Sequence, residues 1–133
     1  MTDKNALIEA NEGFYAAFAT GNACSMEKLW SRHSDITCIH PGWPPLDGRD
    51  DVMGSWQCIL SAKSPLIGIG DARVYLYGTV GYVICQEHLE RGILIATNIF
   101  VVEDGGWKLV HHQAGISPSD TAPLTNEGPQ TLQ

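Results

Sequence analysis

Basic residues are scarce. Lys and Arg number 8 in 133 residues against 15 Asp and Glu, for a net charge of −7. They are scattered, so nothing forms the positive patch that nucleic acid or an anionic membrane would need, and neither is expected as a partner. No apolar run approaches the ~20 residues of a membrane-spanning helix. Met1-Thr2-Asp3-Lys4-Asn5 is polar and has no apolar signal core. Cys24, Cys38, Cys58 and Cys85 form no Cys-x-x-Cys pair and read as reduced, buried thiols of a cytosolic protein. Ser31, Ser34 and Ser55 lack a Gly-x-Ser-x-Gly setting, which argues against a serine nucleophile. Gly68, Gly70, Gly78 and Gly81 flank strands and lead into no phosphate-loop Lys. His111 and His112 are adjacent, and neighbouring strand residues point to opposite faces, so they do not ligate one ion together. No metal and no cofactor is expected.

Apolar residues are plentiful, at 44% of the chain. That suffices for one core and one domain, residues 1–116. The remainder, 117–133, has three prolines and no aromatics. It reads as a polar Pro/Thr-rich tail, partly ordered at best. Leu7, Asn11, Phe14 and Phe18 recur at helical spacing, and Gly21-Asn22 ends that helix. A short second helix is predicted from Ser25 to Trp30 and a third from Arg49 to Ala62, with Val52, Trp56 and Ile59 inward. Asp35 to His40 alternates as a strand. Pro41-Gly42-Trp43-Pro44-Pro45 makes a stiff loop. Four β-rich segments follow: Ile67 to Tyr77, Val80 to Leu89, Ile93 to Val102 and Trp107 to Ile116. This order predicts an α+β fold, three helices on an antiparallel sheet.

The Asp104-Gly105 turn sets an expected register. Val102 pairs with Trp107, Phe100 with Leu109, Asn98 with His111 and Ala96 with Gln113. One face then carries Val83, Cys85, Glu87, Asn98, Phe100, Trp107, Leu109, His111 and Gln113. Polar groups gathered at one end of an otherwise apolar, helix-covered face suggest a ligand cavity. Glu87 there would be desolvated, which raises a carboxyl toward general-base range. His111 would orient a ligand or exchange a proton, and Asn98 and Gln113 would bind it. Trp43 and Trp56 are candidates for the pocket wall. The competing reading is a satisfied Glu–His–Asn network that only fixes register.

Several local strings point further: Phe14-Tyr15-x-x-Phe18, Ile39-His40-Pro41-Gly42-Trp43 with Gly48-Arg49, Cys85-x-Glu87, Ala96-Thr97-Asn98-x-Phe100, and Gly106-Trp107-x-x-Val110-His111-His112. Over Leu7 to Gly115 the chain resembles the nuclear-transport-factor-2-like superfamily, in the His-Pro-Gly-Trp subgroup of its SnoaL-like branch. The resemblance implies a cone: a curved antiparallel sheet wrapped on helices, with a pocket at the open end. The superfamily includes ketosteroid isomerases, polyketide cyclases, dehydratases and epoxide hydrolases, and also non-catalytic binding and assembly modules. Its members commonly dimerise through the outer sheet face, here Ile99, Val101 and Val110. The subgroup motif matches His40, Trp43, Glu87, Asn98 and His111. Relatives often read His-His-His where this chain has His111-His112-Gln113, which weakens any mechanism using position 113.

The expectation is therefore a cytoplasmic homodimer that binds a small, partly apolar organic molecule. As an enzyme it would be a cofactor-independent isomerase, dehydratase or cyclase. Glu87 is its general base, His111 its partner, and His40 and Trp43 shape the entrance. The alternative is a non-catalytic binding or homo-oligomeric assembly module.

Overall fold

Helix α1 (Lys4–Thr20) starts where the Asp3 carboxylate accepts from the Ala6 N–H at 2.8 Å, satisfying one of the donors a helix start leaves over. It stops at Gly21, whose φ of 67° is the left-handed turn that glycine adopts cheaply. In this computed structural model, which describes residues 3–63 and 65–117, α1 buries Leu7, Asn11, Phe14, Tyr15 and Ala17. Helix α2 (Ala23–Leu29) is capped by the Asn22 side chain, 3.0 Å from the Ser25 N–H. After the short strands β1 (Thr37–Ile39) and β2 (Leu46–Asp47) comes α3 (Arg49–Ser61). The Arg49 guanidinium donates to the carbonyls of Ser31 (2.9 Å) and Glu27 (2.7 Å). A cation thus meets carbonyls at the end of α2 and ties it to the start of α3. The rest of the described chain is β3 (Leu66–Tyr77), β4 (Val80–Leu89), β5 (Gly92–Glu103) and β6 (Gly106–Ile116). The proposed tail lies, from residue 118 on, outside the described residues.

The strands form one sheet in the order β2-β1-β6-β5-β4-β3. The architecture is the expected α+β one, a curved six-stranded sheet with helices packed against it. One feature corrects the antiparallel expectation. The edge of β6 left free by the β3–β6 meander is filled by β1, which runs parallel to it, Thr37 opposite His111 and Cys38 opposite His112. The sheet is therefore mixed. Strand β2, which pairs with β1 beyond the proline loop, was not expected either. Two-residue turns join the meander. At Asp104-Gly105 both residues have positive φ, 54° and 82°, the twist-matched hairpin geometry.

Register decides which side chains face the helices. Val102 opposes Trp107 and Phe100 opposes Leu109, as expected. A β-bulge then intervenes: Ile99 opposes His111, Asn98 opposes His112 and Ala96 opposes Ala114. Val110 is the extra residue. A bulge inserts one residue into one strand and so reverses the facing of everything beyond it. His112 and Ala114 consequently point inward, and the expected pairings of Asn98 with His111 and Ala96 with Gln113 are corrected. On the inner side α1 lies close to β4: a Cβ on Gly81 would stand 2.7 Å from Leu7 Cδ2. Phe14, Trp30, Trp56, Phe100 and Leu109 fill the core together with the thiols of Cys38 and Cys85, whereas Cys24 and Cys58 are exposed on helices, which corrects the expectation of four buried thiols. Among the described residues no helix is long and apolar enough to cross a membrane.

Candidate functional site

Two registered rows of side chains define the inner sheet face. The first runs Val74, Val83, Asn98, His112, Cys38. The second runs Ile69, Glu87, Leu94, Ile116. In this second row one carboxyl stands between aliphatic groups. Glu87 is 2% exposed, while Ile116 at the row's end is 87% exposed. The apolar row thus reaches solvent at one end of the sheet, and Glu87 lies just inside it.

Helix α1 supplies the partners. Asn11 and Tyr15 are one turn apart and face the same side. The Tyr15 hydroxyl donates to Glu87 Oε2 at 2.6 Å. The Asn98 amide nitrogen donates to Asn11 Oδ1 at 2.9 Å and to the Tyr15 oxygen at 3.1 Å. His112 Nδ1 and Asn98 Oδ1 are 2.5 Å apart, and His112 Nε2 stands 3.8 Å from Glu87 Oε2. The Cys85 thiol also approaches the Tyr15 oxygen, at 3.5 Å.

Burial controls the charges. It raises the Glu87 carboxyl above its ordinary value, and the Tyr15 hydrogen bond only partly offsets this. Burial also raises the Tyr15 phenol, reinforced by the charge of Glu87. His112 is pulled down to about 3 by burial and then by His40 and His111. His40 is pulled down to about 4 by burial. Burial, then Glu87, pushes the Cys38 thiol up to about 12, so it is no nucleophile near neutral pH. The described interior thus works against charge both on the Glu87 carboxyl and on the His40 and His112 imidazoles.

The sequence-predicted residues divide into two sets. Glu87 and Asn98 both face inward and both bond the Tyr15 hydroxyl, and the Asn98 amide is engaged by Asn11, Tyr15 and His112. His111 is not with them. It lies on the outer side, its Nδ1 2.6 Å from the Thr37 hydroxyl. Gln113 is exposed on that same side. His112 occupies the place expected for His111, because of the bulge at Val110. His40 is buried and its Nε2 lies 2.9 Å from Ser55 Oγ. Its ring contacts Trp56 and Trp43, each with centroids 4.8 Å away. Trp43 is 40% exposed and covers His40 from outside. Trp56 is buried and separates His112 from a cavity of about 100 Å³ between α2 and α3, lined also by Met26 and Met53. Its indole N–H has no hydrogen-bond partner among the described residues. Sequence reasoning missed Tyr15. The available signal was Asn11, a polar residue in an apolar helical stripe, with a hydroxyl-bearing residue one turn on.

The SnoaL-like domain family matches residues 7–118. The chain belongs to that family. Among solved structures, this SnoaL-like chain is similar to a proposed dehydratase of the NTF2-like family from Streptomyces avermitilis. The two are 29% identical with a TM-score of 0.76, over 89% of this chain and 98% of the other. It is also similar to a proposed calcium/calmodulin-dependent protein kinase type II association domain from Thiobacillus denitrificans. There the identity is 28% and the TM-score 0.72, over 82% and 93% of the two chains. A curated relative is the F-box protein SKIP8 of Arabidopsis thaliana, 24% identical over 114 residues, which are 84% of this chain and 49% of that protein. The SnoaL-like chain therefore spans about half the length of this curated relative.

Proposed function

We propose that this SnoaL-like protein binds a small, largely apolar organic molecule and catalyses proton transfer on it, as an isomerase, dehydratase or cyclase without a cofactor. One observation carries the reading: Glu87 is a buried carboxyl in an aliphatic row, bonded to the Tyr15 hydroxyl and facing an imidazole. Burial raises this carboxyl above its ordinary value, the direction that suits a general base, and such acid–base groups contribute ~10²–10⁴-fold. In this reading Glu87 is the base, His112 replaces His111 as its partner, and His40 with Trp43 shapes the entrance. The likeness to a proposed dehydratase supports it. The test is proton NMR in deuterated buffer with a panel of cyclic ketones, enones and β-hydroxyketones. The expected result is deuterium uptake beside the carbonyl, or loss of water, with wild type and not with Glu87→Gln. Equal rates for both would remove Glu87 from the chemistry.

A second reading is an assembly module. The internal bonding of Asn11, Tyr15, Asn98 and His112 favours it, as does the likeness to a proposed association domain. Here the outer sheet face, with Ile99, Val101 and Val110, joins copies of the chain. Native mass spectrometry reads both subunit count and any co-purified small molecule. A bare oligomer together with no proton exchange would favour assembly over catalysis.

A further inference from the structure

We propose that Asn98, itself anchored by Asn11, is a positioning residue that holds His112 in the Nδ1–H form and so turns a proton-free Nε2 toward Glu87. The argument is one of donors and acceptors. The Asn98 amide nitrogen has two hydrogens, and they go to Asn11 Oδ1 and the Tyr15 oxygen. Its carbonyl oxygen therefore faces His112 Nδ1, 2.5 Å away. An amide oxygen only accepts, so Nδ1 carries the hydrogen. Turning the Asn98 amide end for end would set its oxygen against Asn11 Oδ1 at 2.9 Å, with no hydrogen between them. The Asn11 carbonyl thus orders the chain: the Tyr15 oxygen accepts from Asn98, and its own hydrogen is directed to Glu87.

The consequence lies at the 3.8 Å gap between His112 Nε2 and Glu87 Oε2. A bare ring nitrogen accepts, and an ionised carboxylate also only accepts. With Nδ1–H fixed and Nε2 bare, the pair avoids two facing acceptors only when the Glu87 carboxyl itself carries the proton. A molecule meeting such a pair finds a donor and an acceptor together, with no rearrangement of the protein. The rings around the imidazole are Phe14 from α1, Trp56 from α3 and His40 beyond β1, with Cys38 of β1 opposite it and His111 next to it in β6. None of these carries a negative charge. The catalytic value of the arrangement rests on the proposed function, but the hydrogen placement does not.

The test is two-bond ¹H–¹⁵N correlation NMR on ¹⁵N-histidine-labelled full-length protein at pH 7. His112 is assigned by loss of its signals in His112→Gln, or by through-bond correlation from its Cβ if that variant does not fold. The expected pattern is the Nδ1–H neutral ring. An Nε2–H ring or a doubly protonated ring overturns the proposal. Asn11→Leu removes the anchoring carbonyl and should convert His112 to a mixture of the two neutral forms; an unchanged ring overturns the role of Asn11. Asn11→Asp keeps an acceptor oxygen and should retain the wild-type ring even if Asn11→Leu fails to fold; loss of that pattern in Asn11→Asp overturns it likewise. An Nδ1–H ring in a protein that exchanges no substrate proton would sink the proposed function and leave the positioning role standing.

Discussion

Two glutamates of the same sheet expose little surface, Glu87 at 2% and Glu103 at 9%, but Glu87 lies deep in the interior and Glu103 beside the exposed β5–β6 turn, and they are driven in opposite directions. Burial raises Glu87, and its hydrogen bond from Tyr15 does not reverse this. Burial also pulls Glu103 upward. Hydrogen bonds from the Arg32 and His33 backbone and the Ser31 hydroxyl outweigh it and hold the carboxyl below its ordinary range. The lesson is that concealment does not make an acid reactive. The balance between depth of burial and the number of donors offered to the carboxylate decides it. Glu103 is a clasp that joins the β5–β6 turn to the segment after α2, and Glu87 is a carboxyl left short of donors.

The largest test of this contrast is Glu103→Ala. It leaves the Ser31 hydroxyl and the Arg32 N–H without their acceptor, which should cost about 1–3 kcal/mol. Urea denaturation measures this; a cost below ~0.5 kcal/mol, typical of a featureless surface site, would refute the clasp. Next is pH. Folded His40 and His112 titrate at about 4 and about 3, below the ~6.5 of an unfolded chain. Lowered folded values mean stability that is present above ~6.5 and lost as pH falls toward those values. By pH 5 each accounts for a loss of about 2 kcal/mol. His40→Asn should shrink the difference in stability between pH 7.5 and pH 5 by about that amount; an undiminished difference would place the titration elsewhere.

Glu87→Gln should have a smaller effect on stability and the opposite dependence on pH. The raised carboxyl favours the fold below the ordinary carboxylate value, and that advantage is lost as pH rises through the raised one. The glutamine variant escapes the loss while keeping an oxygen for Tyr15. Relative to wild type it should gain stability between pH 5 and pH 8, and at pH 8 lie within about 1 kcal/mol of it or above. A variant that falls steadily behind would make Glu87 a second clasp. The smallest effect is expected at His111. Replacing it with Gln should move stability by no more than ~0.5 kcal/mol and leave any Glu87-dependent chemistry unchanged. A loss of turnover in His111→Gln would return the outer histidine to the site.

Much of this arrangement was readable in advance. The element order, the two-residue turns and the inward alternation of Val83, Cys85 and Glu87 follow from periodicity and turn residues, which are local properties. The family resemblance added the curvature. The histidine was misplaced by one residue because a bulge leaves no mark in composition: Leu109-Val110-His111-His112 reads equally well with or without it. The parallel pairing of β1 with β6 escaped because Thr37 to Ile39 is too short to declare its neighbour. Tyr15 reaches Glu87 across 72 positions of chain, a long-range meeting that only the packing of α1 on β4 creates.

The bulge at Val110 has a consequence for how β6 tolerates insertion and deletion. Elsewhere in a strand, a slip of one position exchanges an inward side chain for an unrelated one. At His111-His112 it exchanges one imidazole for another. Deleting Val110 would straighten the strand and leave His112 opposite Asn98, whereas straightening it with Val110 retained would bring His111 to the place that His112 holds. The doublet makes this position degenerate under a frame shift of the sheet, so an imidazole faces the helices in either alignment.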